Sequence, residues 1–190
     1  KENKYDDNIF FQKYSQMSRS QQGLAGAGEW ETLRKLLPDF KDKRVLDLGC
    51  GYGWHCIYAM EHGASSVVGV DISHKMLEVA KEKTHFPQVE YKCCAIEDVE
   101  FPEESFDVIL SSLAFHYVAD YEILVKKIYR ILKSGGKLVF TVEHPVFTAY
   151  GTQDWHYNEK GEILHFPVDN YYYEGKRTAV FLGEKVTKYH

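Results

Sequence analysis

Three glycines, Gly49, Gly51 and Gly53, follow the apolar run Val45-Leu46-Asp47-Leu48, and Asp71 comes 22 residues after Gly49. A strand running into G-x-G-x-G turns tightly and brings its backbone within contact of a ligand, because glycine accepts positive φ and carries no Cβ. A dinucleotide fingerprint would read G-x-G-x-x-G and set a pyrophosphate on the next helix; here the third glycine comes one residue early. Asp47, two positions before the first glycine, would repel a pyrophosphate but suits a ligand with an ammonium group. Asp71 closes the β-branched run Val67-Val68-Gly69-Val70, where a carboxylate accepts both ribose hydroxyls of an adenosine. The duller alternative has the glycines making a turn and Asp71 capping the next helix. Together, at this spacing, the two features point to an adenosine ligand.

Candidate proton acceptors are His116, within Leu113-Ala114-Phe115-His116-Tyr117-Val118, and Glu143 with His144. Each follows an apolar run. A packed loop histidine is the competing reading for His116, and a rigid strand exit through His144-Pro145 for His144. His55, in the first turn after the glycines, lines the ligand site or packs.

The elements that must position these residues alternate. Runs at 44–48, 67–71, 89–93, 106–110 and 137–142 read as strands. Between them lie helical patterns: Trp54 to His62, ended by Gly63; a segment capped by Ser73 with Met76, Leu77 and Ala80 on one side; and 121–132, with apolar residues at Leu124, Val125, Ile128, Ile131 and Leu132. Ser134-Gly135-Gly136 is expected to stop that last helix. Strands alternating with helices imply βαβ units, a mostly parallel sheet and an α/β, Rossmann-like three-layer fold, with ligands at the carboxyl ends of the strands.

The flanks differ. Residues 1–43 suggest a polar helix around Asn8 to Gln16, a flexible glycine-rich stretch at 23–28, and a helix with Trp30, Leu33 and Leu37 facing inward. Residues 44–145 form the core. Residues 146–190 form an aromatic-rich segment with a hairpin through Glu174-Gly175-Lys176, the whole making one domain. Ten of the 28 aromatics and four of the nine histidines lie from 144 onward, which suggests that Trp155, His156, Tyr171, Tyr172 and Tyr173 cap an acceptor pocket, with plain core or interface packing as the alternative.

The chain has 190 residues, 44% hydrophobic and 27% charged, with a net charge of −5. That balance excludes wholesale disorder. It shows no basic stripe for nucleic acid, no apolar run long enough for a membrane span, and no apolar signal core at the N-terminus. Cys50, Cys56, Cys93 and Cys94 make no C-x-x-C pair and read as reduced thiols, so a cytoplasmic location and no metal are expected. The chain does not begin with Met and is expected to be a piece of a longer one, its sheet lacking a C-terminal part.

V-L-D-L-G-C-G-Y-G (45–53) resembles the first motif of the class I S-adenosylmethionine-dependent methyltransferases, and V-V-G-V-D-I-S (67–73) resembles their second. F-P-E-E-S-F-D-V-I (101–109) resembles the segment entering the fourth strand, and L-K-S-G-G-K-L (132–138) the turn before the fifth. The resemblance covers about residues 30 to 145 and is nearest the small-molecule branch with the ubiquinone and menaquinone methyltransferases. It implies S-adenosyl-L-methionine as cofactor. Gly49, Cys50 and Gly51 would line its methionine part, and Asp47 would hold its ammonium directly or through water. Asp71 would bind the ribose, Ile72 and Met76 would pack on adenine, and Ile96 and Glu97 would meet the adenine edge. Ser111 and Ser112 would lie under the sulfonium. Many relatives place an Asp where this chain has Ala95, which departs from the family pattern at the adenine amino group. Tyr14 and Arg19 fall in the segment that folds over the cofactor as a lid in similar enzymes, a solvated helix being the alternative.

Methyl transfer from a sulfonium is an in-line displacement, so much of the rate comes from alignment. A base such as His116 or His144 matters where the acceptor is protonated at neutral pH. The expected partner is a small-molecule methyl acceptor, with a homodimer left open. A catalytically silent cofactor-binding protein of the same fold is the alternative function. A nicotinamide dehydrogenase is opposed by the early third glycine and Asp47.

Overall fold

The computed structural model describes residues 1, 3–149 and 154–190. Five parallel strands, β1 (Arg44–Leu48), β2 (Ser66–Asp71), β3 (Val89–Cys93), β4 (Phe106–Ser112) and β5 (Leu132–Thr141), form one sheet in the order β3-β2-β1-β4-β5. The order reverses between β1 and β4, which places the topological switch point above the glycine loop. Side-chain alternation divides the core. Val45, Val67, Val108 and Leu110 pack with Phe40, Cys56 and Ala59 under α4 (Trp54–Glu61) and α5 (His74–Lys83). Leu46, Leu48, Val70 and Ile109 face the other way and meet Leu124, Ile128 and Ile131 of α6 (Tyr121–Ile131). Both faces are covered, as a parallel sheet requires.

The caps follow from sequence. Ser73 Oγ accepts from Met76 N–H at 3.2 Å at the start of α5, and Asp120 Oδ1 from Ile123 N–H at 2.9 Å at the start of α6. At the end of α6 the structure differs from the expected stop. β5 begins directly at Leu132, and Phe106 pairs with Leu132 while Val108 already pairs with Lys137. Residues 133–136 are therefore looped into a bulge within the strand rather than forming a turn before it.

The flanks join over the sheet. The N-terminal segment holds α1 (Asn8–Ser15), α2 (Ser18–Gln21) and α3 (Trp30–Leu36). The glycine stretch read as flexible is partly a 3₁₀ turn, Gly23–Gly26, in which a Cβ at Gly26 would lie 2.3 Å from Ser18 O. Two short strands, β6 (His156–Tyr157) and β7 (Ile163–His165), pair antiparallel, as do β8 (Lys176–Phe181) and β9 (Glu184–Tyr189). The second hairpin turns at Leu182 (φ 54°) and Gly183 (φ 79°), not at 174–176. Two positive φ values mark a type I′ turn, which matches the twist of the strands. Glu174 and Gly175 lie instead at its open end, where Gly175 and His190 exchange backbone hydrogen bonds. Phe10 of α1 is fully buried against Ala179 and Val186 of this hairpin, and Lys13 Nζ donates to Leu182 O at 2.9 Å.

Candidate active site

The carboxyl ends of the strands open into a cleft of about 660 Å³ beneath the N-terminal segment and the β8–β9 hairpin. This volume suits a cofactor with a small second molecule. Its floor is the loop after β1. Gly49 and Cys50 N–H both donate to Val70 O, at 2.8 and 2.9 Å, and Gly51 N–H donates to Asp71 Oδ2 at 2.9 Å. Gly49 has φ +78°, and a Cβ there would come within 2.4 Å of Ala114 Cβ. At Gly53 a Cβ would stand 2.2 Å from Tyr91 Oη. Gly51 faces open space. Two of the glycines thus permit close packing, and the third leaves room for a ligand.

Asp71 ends β2 at the cleft wall, its Oδ1 accepting from Ser73 N–H at 2.9 Å. Burial pushes its carboxyl up, and the N–H donors of Ser73 and Gly51 oppose that rise. Ile72, Met76, Ala95, Ile96 and Glu97 continue the wall from β2 past β3. Four of these five are uncharged, so they form an apolar slot ending at the Glu97 carboxylate.

Three residues expected at the ligand are not on the cleft wall. Asp47 points to the α4 face because β1 alternates, and it is 1% exposed. Burial pushes its pKa up to about 7. Cys56 Sγ donates to its Oδ2 at 3.5 Å, while Oδ1 has no partner among the described residues. Cys50 is packed in the same apolar cluster. Ser111 turns into the sheet and donates to Leu48 O at 2.8 Å. The adjacent Ser112 lines the cleft instead, donating to Glu29 Oε1 at 3.1 Å.

His116 and His144 both reach the cleft. His116 is 7% exposed, and burial lowers its pKa to about 3, so the ring is neutral. Its Nδ1 accepts from Glu143 N–H at 3.4 Å. His144 is exposed and accepts from Val146 N–H at 3.2 Å, opening a 3₁₀ turn at Pro145. His55 does not line the cleft; it packs edge-on against Trp30, 5.9 Å between ring centroids. Trp155, His156 and Tyr171, Tyr172 and Tyr173 do not line it either, and Tyr172 is 94% exposed.

Tyr14 and Arg19 are cleft residues of the N-terminal segment, and Arg19 pairs with Glu29. Sequence reasoning missed Glu29, Tyr5 and Lys188. Tyr5 Oη lies 3.4 Å from Tyr117 Oη, and Lys188 Nζ donates to Glu143 Oε2 at 2.6 Å. These contacts join residues 112 and 45 positions apart, a distance over which no local pattern gives a signal.

Residues 46–140 match the family described as "Methyltransferase domain", and an uncharacterized protein of Haemophilus influenzae is 36% identical over 98% of this chain and 76% of its own length. The chain belongs to the S-adenosylmethionine-dependent methyltransferases. An S-adenosylmethionine-dependent methyltransferase from Mesorhizobium loti matches this methyltransferase fold with a TM-score of 0.80 and 40% identity, over 88% of this chain and 76% of that one. A Listeria monocytogenes structure assigned to the same class gives a TM-score of 0.81 at 57% identity, over 86% and 76% of the two chains. A ubiquinone biosynthesis O-methyltransferase of Coxiella burnetii is 36% identical over 58% of this chain and 47% of its own.

Proposed function

We propose that the cleft binds S-adenosylmethionine along the glycine loop and that its methyl group passes to a small-molecule acceptor held under the hairpin. The single observation that carries this reading is the pairing of Asp71 with the bare Gly51 at the switch point. A buried carboxylate already held by two N–H groups stands beside open backbone, where ribose hydroxyls can be accepted. The unpartnered Oδ1 of Asp47 beneath the loop fits an ammonium reached through a water, since a buried carboxylate oxygen seeks a donor. Ile72, Met76 and Ile96 would hold the adenine ring, with Glu97 at its edge.

When bound, the cofactor supplies a methyl carbon on a good leaving group. The chain's own contribution is alignment and exclusion of water under Tyr5, Tyr14 and the hairpin. In keeping with this reading, the described residues of 1–43 act as lid and those of 146–190 as cover for the acceptor end. A cytoplasmic setting is in keeping with the four unpaired cysteines.

Calorimetric titration with S-adenosylhomocysteine tests the function. Micromolar binding is expected, weakened at least tenfold in Asp71→Ala, with NADH giving no heat of binding. Binding by a folded Asp71→Ala variant as tight as wild type, or NADH binding in place of S-adenosylhomocysteine, would overturn it.

A further inference from the structure

We propose that Thr141, which does not itself line the cleft, is a positioning residue for the cofactor, holding Leu113 in a left-handed backbone conformation and so fixing the end of β4 on the cleft wall. The proposal rests on the cofactor reading above and adds the group that shapes this part of the site.

Among the described residues five that are not glycine have positive φ, and of these only Leu113, at 53°, lines the cleft. In this region Cβ crowds the backbone, and a leucine, unlike Asn or Asp, has no polar side-chain atom to offset the cost. Such a conformation persists only where its surroundings impose it. At Leu182 the β8–β9 turn does so. At Leu113 there is no hairpin, because β4 runs parallel to both of its neighbours. Thr141, the last residue of β5, takes that part. Leu113 N–H donates to Thr141 O at 2.9 Å and to Thr141 Oγ1 at 3.2 Å.

The hydroxyl of Thr141 is used in both directions. Ser112 Oγ lies 3.2 Å from Thr141 Oγ1 and 3.1 Å from Glu29 Oε1. Burial opposes ionisation of Glu29, but its hydrogen bonds and the charge of Arg19 prevail and hold its carboxyl below the usual value. An ionised carboxylate only accepts, so Ser112 gives its one O–H to Glu29, and Thr141 O–H must donate to Ser112 Oγ. The chain therefore runs from Leu113 N–H through Thr141 and Ser112 to Glu29, which Arg19 pairs from the N-terminal segment. Hydrogen bonds in such a chain polarise one another. Exchanging the hydroxyl of Thr141 for a methyl group would break two of its links.

What the clamp holds is the cleft wall. An extended strand turns successive side chains to opposite faces. The reversal at Leu113 ends that alternation, and Ser112, Leu113 and Ala114 line the cleft one after another. Ala114 packs so closely on the loop after β1 that a Cβ at Gly49 would come within 2.4 Å of its own. A Leu113 relaxed to negative φ would carry both neighbours away from the Gly49–Gly51 backbone. Thr141 is thereby felt at the cofactor without touching it.

The test is calorimetric titration with S-adenosylhomocysteine across double-mutant cycles. Thr141→Val should weaken binding at least fivefold, and Thr141→Ser, which keeps the hydroxyl, should stay within twofold of wild type. In the Leu113→Ala background, where Cβ keeps the backbone penalty, Thr141→Val should again cost at least fivefold. In the Leu113→Gly background, where positive φ carries no penalty, the same change should cost less than twofold. A residue needed only for folding would lower the urea midpoint without this difference in affinity between backgrounds. Wild-type affinity in Thr141→Val, failure of Thr141→Ser to rescue, an equal loss in the Leu113→Gly background, or loss of binding in Leu113→Gly by itself would each overturn the proposal. Thr141→Ala serves in the same cycles if Thr141→Val does not fold. Failure of wild-type protein to bind S-adenosylhomocysteine is a separate failure, of the cofactor reading, and is seen before any variant is compared.

Discussion

Asp6 of the N-terminal segment reaches across to Ser73, whose hydroxyl donates to Asp6 Oδ1 at 2.6 Å. The same carboxylate accepts from Lys75 N–H at 3.1 Å and from Asn3 Nδ2 at 2.8 Å. A residue of the N-terminal segment thereby satisfies the open N-terminus of α5, the helix whose Met76 lines the cleft. Asp6→Ala should lower stability by about 1 kcal/mol, as loss of a helix cap does, and should weaken S-adenosylhomocysteine as the lid loosens. Burial opposes ionisation of Asp6, but the hydrogen bonds from Ser73, Lys75, Asn3 and His74 prevail and hold its pKa below the usual carboxylate value. This stabilisation is present above the ordinary carboxylate pKa and is lost as pH falls through the depressed folded value. Thermal unfolding from neutral pH down to strong acid should therefore show the wild-type advantage over Asp6→Ala shrinking toward the acid end.

Ser111 and Ser112 separate stability from binding. Ser111→Ala leaves the buried Leu48 carbonyl without its side-chain donor and should cost about 1 kcal/mol with cofactor affinity unchanged. Ser112→Ala touches the cleft and the Glu29–Arg19 pair, so its effect should appear in S-adenosylhomocysteine affinity. Parallel urea titration and calorimetry on the two variants decide; the reverse pattern would place the cofactor under Ser111.

Asp47 is held against its own ionisation. Its folded pKa of about 7 stands above the ordinary 3.8. The stability linked to it is whole below 3.8 and is lost as pH rises through about 7. Asp47→Asn should thus match wild type near pH 4 and exceed it by more than about 1 kcal/mol at pH 8, while binding S-adenosylhomocysteine more weakly. Denaturant titration at the two pH values reads the first effect.

His116 works in the opposite direction. Its folded pKa, about 3, is below the ordinary 6.5, so its contribution is present above 6.5 and is lost as pH falls toward 3. The slope is up to about 1.4 kcal/mol per pH unit within that window. His55, lowered to about 4 by burial, adds a slope of the same sign. His116→Phe should flatten the acid side of the stability curve by one group's share, leaving that of His55.

How much of this was legible in the sequence depends on the range of the interaction. β1, β3 and the start of α5 sit where apolar runs and Ser73 put them, because strand burial and capping are decided within a few residues. The sequence points Ser111 toward the ligand because a strand end by itself does not say which way its last side chain turns; the bond to Leu48 O, from a neighbouring strand, decides. The β8–β9 turn escaped because Leu182 is not a residue type that favours positive φ, and strand pairing imposes it. Lys188 escaped because its relation to Glu143 exists only once β9 has packed against the segment that follows β5.

That late packing of the hairpin bears on how the molecule comes into being. On a ribosome, β1 through β5 emerge early enough to pair among themselves, and their contacts are mostly between neighbouring βαβ units. Phe10 leaves the exit tunnel before any strand of the sheet and must wait for Ala179 and Val186 before it can be buried. Throughout that interval α1 carries an uncovered aromatic side chain, and the cleft stands roofless over a sheet already able to fold. A chaperone that recognises exposed aromatic segments would find its opening there, between the completion of the sheet and the arrival of the hairpin.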